Sequence, residues 1–280
     1  MIENRPWMAV FSHAILIFGV FIVALPVWVA LVASTHPASA FGSGHIPMWF
    51  GQEGFANWQM LLVGSDGQSS QLLKMLMNSL IMALGITFGK IAISLMSAYA
   101  IVFFRFPFRG LAFWIIFFTL MLPVEVRIVP TYEVIANLNL LNSYTGLTLP
   151  LIASATATFL FRQCFMSMPG ELVEAARIDG AGPIRFFFDI LLPMSRTNIA
   201  ALFVILFIYG WNQYLWPLIV TTDDAYYTLV MSVKRMLSVS EGDIQWNQVM
   251  VSTLLAMIPP VMVVIAMQKL FVKGLVDAEK

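Results

Sequence analysis

Six long apolar runs, separated by shorter polar segments, dominate the pattern of this chain. They lie near residues 11–33, 75–104, 111–129, 144–165, 197–220 and 249–271. Each has about the length that a helix needs to cross the hydrocarbon core of a bilayer, roughly 20 residues. Because backbone polar groups in lipid must be satisfied within the chain, each run predicts a helix. We therefore expect an all-α, polytopic membrane protein with six transmembrane helices, in one domain over residues 1–280 with core spans at about 75–271.

Prolines interrupt most of these runs. A proline inside a helix removes one backbone hydrogen bond and kinks or breaks the helix. We therefore predict local kinks within the spans, at Pro26, Pro123, Pro150, Pro217 and the Pro259–Pro260 pair.

Composition supports a membrane location and excludes several kinds of site. Hydrophobic residues make up 60% of the chain and charged residues 11%, against about 25% charged in a typical soluble domain. The formal net charge is zero, so no general attraction for nucleic acid is implied. Cys164 is the single cysteine, which excludes an intramolecular disulfide, and the three histidines lack metal-ligand spacing. The first apolar run is too long for a signal peptide, so we expect it to remain as a membrane helix.

The distribution of basic residues predicts which side of the membrane each loop faces. With the N-terminus inside, ten lysines and arginines fall on the cytoplasmic side and four on the opposite side. Short cytoplasmic loops carry the excess of positive charge in membrane proteins. We therefore expect both termini in the cytoplasm, a first periplasmic loop at residues 34–73 and a cytoplasmic loop at residues 167–196.

The cytoplasmic loop at 167–196 carries the most informative local pattern. Pro169 can open a first short helix, and Asp179-Gly180 supplies a tight turn in which glycine adopts positive φ at little cost. Pro183 suits the first position of a second helix, and Pro193 marks its end. The loop is therefore predicted to form two short helices joined by a turn, exposed to a partner in the cytoplasm.

A longer motif runs through this loop: Glu-Ala-Ala, a glycine four residues after the second alanine, and Ile-x-Leu-Pro about ten residues further on. Its members are Glu174, Ala175, Ala176, Gly180, Ile190, Leu192 and Pro193. The motif resembles the EAA loop of the permease subunits of bacterial ABC importers. The alternative is an ordinary amphipathic cytoplasmic loop.

The resemblance extends beyond the loop. Residues 98–100, 104–107 and 271–275 are similar to the corresponding positions of the carbohydrate-uptake type of these permeases. More narrowly, residues 1–7, 121–127 and 209–217 resemble the permeases of sn-glycerol-3-phosphate importers. The resemblance implies a type I ABC importer permease fold in a bacterial inner membrane, with sn-glycerol-3-phosphate as substrate and glycerophosphodiesters as further candidates.

The same resemblance implies the partners and the coupling residues. It implies a second, different permease subunit, a dimer of ATPase subunits and a periplasmic solute-binding protein. This chain would then bind no cofactor and would not itself be an enzyme, since ATP and Mg would be used by the partner ATPase. The residues that the resemblance assigns to ATPase coupling are Glu174, Ala175, Ala176, Asp179, Gly180 and Ala181.

Polar residues inside two spans are candidates for lining a transport path. Lys90 lies well inside the second span, where an ionisable group is costly and usually faces a cavity or a partner. Tyr209, Asn212 and Gln213 lie together in the fifth span. The alternatives are an acidic partner or a snorkelling position for Lys90, and ordinary interhelical hydrogen bonds for the others.

Glycines in the second span imitate a nucleotide-binding loop. Residues 85–90 read Gly-Ile-Thr-Phe-Gly-Lys, which is one residue short of a phosphate-binding loop and lies within a predicted membrane helix. Gly85 and Gly89 instead match the Gly-x-x-x-Gly spacing that lets two membrane helices approach closely. We therefore predict a helix-packing role for both.

Other functions remain as alternatives. A permease for another sugar or polyol would share the same features. A secondary transporter driven by an ion gradient is a second class, although such folds often show internal repeats and none is evident between the two halves of this chain. A membrane-bound enzyme is a third class, but no group of residues has a spacing that suggests catalysis.

Overall fold

A computed structural model describes residues 6–41, 47–63, 68–119, 122, 124–238 and 244–277, with the side chains of residues 6, 9, 68–70, 124–125 and 269–277 left out. Within these residues every regular element is helical. The α-helices are α1 (Pro6–Ala33), α2 (Gly54–Leu62), α3 (Gln68–Phe103), α4 (Arg109–Phe118), α5 (Val124–Asn137), α6 (Tyr144–Thr148), α7 (Ala155–Met166), α8 (Gly170–Ile178), α9 (Pro183–Phe186), α10 (Leu192–Met194), α11 (Arg196–Trp211), α12 (Leu215–Val220), α13 (Leu229–Met236) and α14 (Trp246–Asp277). Short 3-10 turns lie at Ala38–Phe41, Leu149–Leu151 and Asp224–Tyr226, and one π-helical stretch lies at Phe187–Leu191.

Three of the described helices are long and apolar enough to cross a membrane unaided. They contain Val10–Ala33, Gln71–Phe103 and Trp246–Gln268. Two bent pairs, Tyr144–Leu151 with Ala155–Met166 and Pro183–Met194 with Arg196–Trp211, raise the number to five if each pair is one span. The ten-residue apolar helix α4 coincides with the start of the third predicted span. Residues 120, 121 and 123 of that span lie outside the described part, as does the predicted kink at Pro123.

The predicted fourth and fifth spans are not continuous helices. The chain bends by 50° between Tyr144–Leu151 and α7, next to the kink predicted at Pro150. Ser154 is the N-cap of α7, and its side chain accepts a hydrogen bond from the backbone N–H of Ala157. The run predicted at 197–220 breaks between Trp211 and Leu215. Elsewhere the helices tolerate proline, since α1 continues through Pro26 and α14 through both of its prolines.

Contacts divide the chain into two compact units, Met1–Leu73 with Ser232–Ile258, and Lys74–Met231 with Pro259–Lys280. In the first unit, Asn57 on α2 is 8% exposed, and its Nδ2 donates to the carbonyl oxygens of Ser34 and His36, both at 2.9 Å. Its Oδ1 accepts a hydrogen bond from Nδ2 of Asn247 at 3.0 Å. The predicted loop at 34–73 therefore includes a helix held by a buried amide.

In the second unit, α3 is the central element of two apolar clusters. One cluster joins α3 to α7, α8, α9 and α11, through buried Ile91, Leu95, Ala98, Ala157, Phe161, Phe165, Ala176, Phe186, Leu191, Leu202 and Leu206. The other joins α3 to α5, α6 and α12, through buried Met82, Ile86, Ile135, Leu147, Leu151, Trp216 and Val220. Burial of these side chains fixes the neighbours of α3 along most of its length.

The two glycines of the Gly-x-x-x-Gly pair lie where α3 packs against the bent fourth span. A Cβ added at Gly89 would lie 2.5 Å from Cγ2 of Ile152, and one at Gly85 would lie 3.0 Å from Cγ2 of Thr148. Neither position can accept a side chain unless its neighbour moves. The predicted role of these glycines in close helix packing is confirmed.

Candidate functional site

Residues 167–196, here called the coupling segment, form the two short helices that the sequence predicts. Pro169 is the N-cap of α8, and Pro183 is the first residue of α9. The helical stretch that begins with α9 ends at Met194, one residue beyond the predicted Pro193. Each boundary therefore lies at, or next to, the proline that predicts it.

Gly180 closes α8 in a left-handed conformation, with φ of +72°. The N–H of Ala181 donates to the carbonyl oxygen of Ala176 at 2.9 Å, and the N–H of Gly180 donates to that of Arg177 at 3.1 Å. These two bonds define a Schellman motif, which satisfies carbonyl groups at the end of the helix. A Cβ at Gly180 would meet no atom within 4 Å, so the backbone conformation, and not the available space, is what favours glycine here.

Two buried side chains attach the coupling segment to the membrane-spanning helices. Ala176 of α8 is 4% exposed and Phe186 of α9 is 8% exposed. Both belong to the cluster that includes Ala98 of α3 and Phe165 of α7. Because each of the two short helices contributes a buried residue, the turn between them is held against the end of α3.

Tyr99 of α3 adds a polar contact to this attachment. Its hydroxyl donates to the carbonyl oxygen of Pro183 at 2.9 Å, and its ring centroid lies 5.2 Å from that of Phe187. The segment thus contacts a membrane helix through a hydrogen bond as well as apolar packing. Sequence reasoning did not identify Tyr99 as a site residue, although a tyrosine in the last turns of an apolar helix was a usable signal.

The predicted coupling residues divide between a buried and an exposed face. Ala176 is buried and Ala181 is partly buried, whereas the exposed members are Glu174, Ala175, Asp179 and Gly180. Two large apolar side chains lie at the exposed end of the segment, Ile178 at 86% exposure and Ile184 at 77%. Both side chains are therefore accessible to a partner protein.

Lys90 contacts Tyr209, so the structure brings together two of the predicted pathway residues. The Lys90 side chain is 6% exposed, and its Nζ lies 3.6 Å from the centroid of the Tyr209 ring. This is a cation–π contact between α3 and α11. The one ion pair among the described side chains is Arg185 with Asp189 at 3.3 Å, so no acidic partner for Lys90 is found in that part of the chain.

The other two predicted pathway residues lie at the break between α11 and α12. Gln213 donates from Nε2 to the carbonyl oxygen of Tyr209 at 3.2 Å. Asn212 follows the last residue of α11 and is exposed. Where a membrane helix is interrupted, polar backbone groups are released that need a cavity or a protein partner. The break therefore places polar groups next to the Lys90–Tyr209 pair.

One helix links the coupling segment to this polar group. Lys90 and Tyr99 both lie on α3, nine residues apart, which corresponds to roughly 14 Å along an α-helix. The tyrosine contacts the coupling segment, and the lysine contacts Tyr209. The helix α3 therefore contacts both the coupling segment and Tyr209.

In the part of the chain that the structure describes, all regular elements are helices, and an exposed helix–turn–helix segment lies between apolar helices. The sequence model of the family of binding-protein-dependent transport system inner membrane components matches residues 90–277. The chain belongs to this family and is an ABC importer permease.

The similar proteins agree with this assignment. The chain is 58% identical over 281 residues, 100% of each chain, to the sn-glycerol-3-phosphate transport system permease protein UgpE of Escherichia coli (strain K12). It is 57% identical, over the full length of both chains, to the protein of the same name from Shigella dysenteriae serotype 1 (strain Sd197). A crystal structure of a bacterial ABC transporter involved in the import of the acidic polysaccharide alginate contains a similar fold, with a TM-score of 0.81 and 18% identity over 96% of this chain and 98% of that one.

Proposed function

We propose that this chain is a permease subunit that carries sn-glycerol-3-phosphate, with glycerophosphodiesters as further candidates, across the bacterial inner membrane. The observation that carries the proposal is 58% identity along the whole of both chains to a permease named for that transport. The partners would be a second permease subunit, a dimer of ATPase subunits and a periplasmic solute-binding protein. ATP and Mg would be used by the ATPase, and this chain would supply no catalytic group.

The coupling segment is proposed to be the contact with the ATPase. Its exposed face carries Glu174, Asp179 and the exposed apolar side chains of Ile178 and Ile184. Gly180 ends the first of its two helices with a positive φ. Closure of the ATPase dimer would move the segment as a rigid body together with the helices to which it is attached. Its buried face is packed into the apolar cluster that joins α3, α7, α8, α9 and α11. The excess of basic residues on the same side supports a cytoplasmic position for the segment and for both termini.

The Lys90–Tyr209 pair is proposed to line the path of the substrate. A buried ammonium group without an acidic partner in the described part of the chain is suited to an anionic phosphate ester that crosses the membrane. Gln213 and Asn212 would contribute polar groups at the adjacent helix break. The aromatic face of Tyr209 partly balances the lysine charge when no substrate is present.

The test of the substrate is uptake into proteoliposomes that contain the complete complex and its binding protein. Labelled sn-glycerol-3-phosphate, a labelled glycerophosphodiester and labelled maltose would be compared, with and without ATP. We expect ATP-dependent uptake of the phosphate esters and none of maltose. ATP-dependent uptake of maltose in place of the phosphate esters would overturn the proposed substrate and leave the importer class intact.

A further inference from the structure

A cavity lies where the end of α3, the start of α4 and the end of α7 meet. Its volume is about 540 Å³, within the range of about 300–1,000 Å³ that is usual for small-molecule sites. Its wall includes Arg109, Phe113, Trp114 and Arg162. The cavity, here called the arginine pocket, shares no residue with the coupling segment or with the Lys90–Tyr209 pair.

The charge in this pocket is not balanced by the protein side chains that the structure describes. The Arg162 guanidinium lies 4.2 Å from the centroid of the Phe113 ring, and its Nε is shielded from solvent without a hydrogen-bond partner. Arg109 is exposed. Neither arginine is in the one ion pair found among the described residues, which is Arg185 with Asp189. An anion would supply acceptors for both guanidinium groups.

The rest of the pocket wall is apolar. Ile101 of α3, Trp114 of α4 and Met166 of α7 line it beside the two arginines. A free inorganic anion would use only the cationic part of such a site. A ligand that joins a phosphate group to a hydrocarbon chain would use both parts.

The pocket lies near the ends of the apolar helices α3 and α7, where a lipid headgroup is expected. Arg162 lies one turn before the end of α7, and α8 of the coupling segment begins four residues after that end. The pocket is therefore at the boundary between the membrane-spanning helices and the coupling segment. Basic pockets between helices at such a boundary bind the headgroups of anionic lipids in other membrane proteins.

We propose that the arginine pocket binds an anionic phospholipid. The lipid phosphate lies between Arg109 and Arg162, and its glycerol backbone and first acyl carbons contact Trp114 and Ile101. This site does not depend on the identity of the transported substrate. It places a lipid next to the coupling segment, so the lipid composition of the membrane can affect the attachment of that segment.

The test is native mass spectrometry of the complete detergent-purified complex, titrated with phosphatidylglycerol and separately with phosphatidylcholine. Arg109→Gln and Arg162→Gln remove one charge each. Arg105→Gln is the matched control, since Arg105 is exposed on the same connection but does not line the pocket. We expect phosphatidylglycerol to bind about fivefold more weakly for each pocket arginine removed, and no change in the control. Arg162→Lys retains the charge and is expected to recover part of the affinity.

Three outcomes would overturn the proposal. The first is equal binding of phosphatidylglycerol to the unmodified complex and to the Arg109→Gln complex. This variant decides the test if Arg162→Gln prevents assembly of the complex. The second is displacement of the lipid by inorganic phosphate at the concentration of the lipid itself, which would indicate a site for a free anion. The third is equal binding of phosphatidylcholine, which would indicate an apolar surface without charge recognition.

Discussion

Replacing Gly180 by valine isolates the backbone conformation on which the coupling segment depends. Its φ of +72° lies in the left-handed region, which costs a residue other than glycine about 1–3 kcal/mol. For valine we expect a cost near the upper end of this range, because its branched Cβ restricts the backbone further. No atom lies within 4 Å of an added Cβ, so the Cβ itself meets no neighbour and the expected cost is that of the turn conformation. The ratio of the native turn to its alternatives should fall about 5- to 150-fold.

Two matched variants separate this effect from the added volume. Gly182→Val adds the same side chain two residues later, where φ is −68° and an added Cβ also meets no atom within 4 Å. Gly180→Asn adds a side chain that tolerates the left-handed region. We expect both variants to retain most of the activity of the unmodified complex.

The assay measures uptake and binding-protein-stimulated ATP hydrolysis in the same proteoliposomes. For Gly180→Val we expect uptake to fall at least about fivefold, in line with the smallest strain considered above, while the subunit still assembles with its partners. If Gly180→Val and Gly182→Val transport equally well, the turn geometry does not matter for coupling and the reasoning is wrong.

Three further predictions concern α3. Lys90→Met keeps the apolar stem but removes the charge over Tyr209, so uptake of the phosphate ester should fall about tenfold or more. Lys90→Arg should retain part of the uptake. Unchanged uptake kinetics for both variants would indicate that Lys90 has only a structural role. Tyr99→Phe removes the bond to Pro183 and should weaken attachment of the coupling segment by about 0.5–1.5 kcal/mol, seen as faster hydrogen exchange there; an unchanged rate would contradict this. Gly89→Ala should destabilise the assembled complex by about 1–3 kcal/mol, measured by thermal unfolding. Ile152→Ala in the same chain should relieve much of that loss, because it removes the clashing methyl group. If the destabilisations of the two substitutions simply add in the double variant, there is no direct clash.

The parts of the fold that the sequence predicts are those set by local chemistry. The coupling segment is the clearest case, since Pro169, Gly180 and Pro183 each determine the backbone at one position. The apolar runs likewise predict α1, α3 and α14, because helix length and hydropathy decide whether a segment can cross a bilayer.

The break in the fifth span depends on contacts between distant parts of the chain. The indole N–H of Trp216 on α12 donates to the carbonyl oxygen of Gly146 on α6 at 3.1 Å. Asn142, just before α6, accepts hydrogen bonds from the backbone of Thr222 and Asp223. Hydropathy carries no information about such bonds, so it does not predict the interruption between Trp211 and Leu215. The bend in the fourth span is different, because it lies next to Pro150, where the sequence predicts a kink.

The candidate site is predictable by residue type but not by pairing. Lys90 is predicted as a candidate because it is an ionisable residue within a span, and Tyr209 because it belongs to a polar cluster in another span. Only the packing of α3 against α11 brings them together. Arg162 and Phe113 form a comparable pair from separate helices, and no spacing in the sequence connects them.

The central claim is that the exposed face of the coupling segment contacts the ATPase. Its most direct test places a benzophenone photo-crosslinker on a cysteine at Ile178, which is 86% exposed, in a Cys164→Ser background. Trp49→Cys, at 80% exposure in the predicted periplasmic loop, is the control. We predict a crosslink from position 178 to the ATPase, with a yield that changes when ATP binds, and none from position 49. A crosslink from position 49, or none from position 178 in a complex that hydrolyses ATP, would contradict the account.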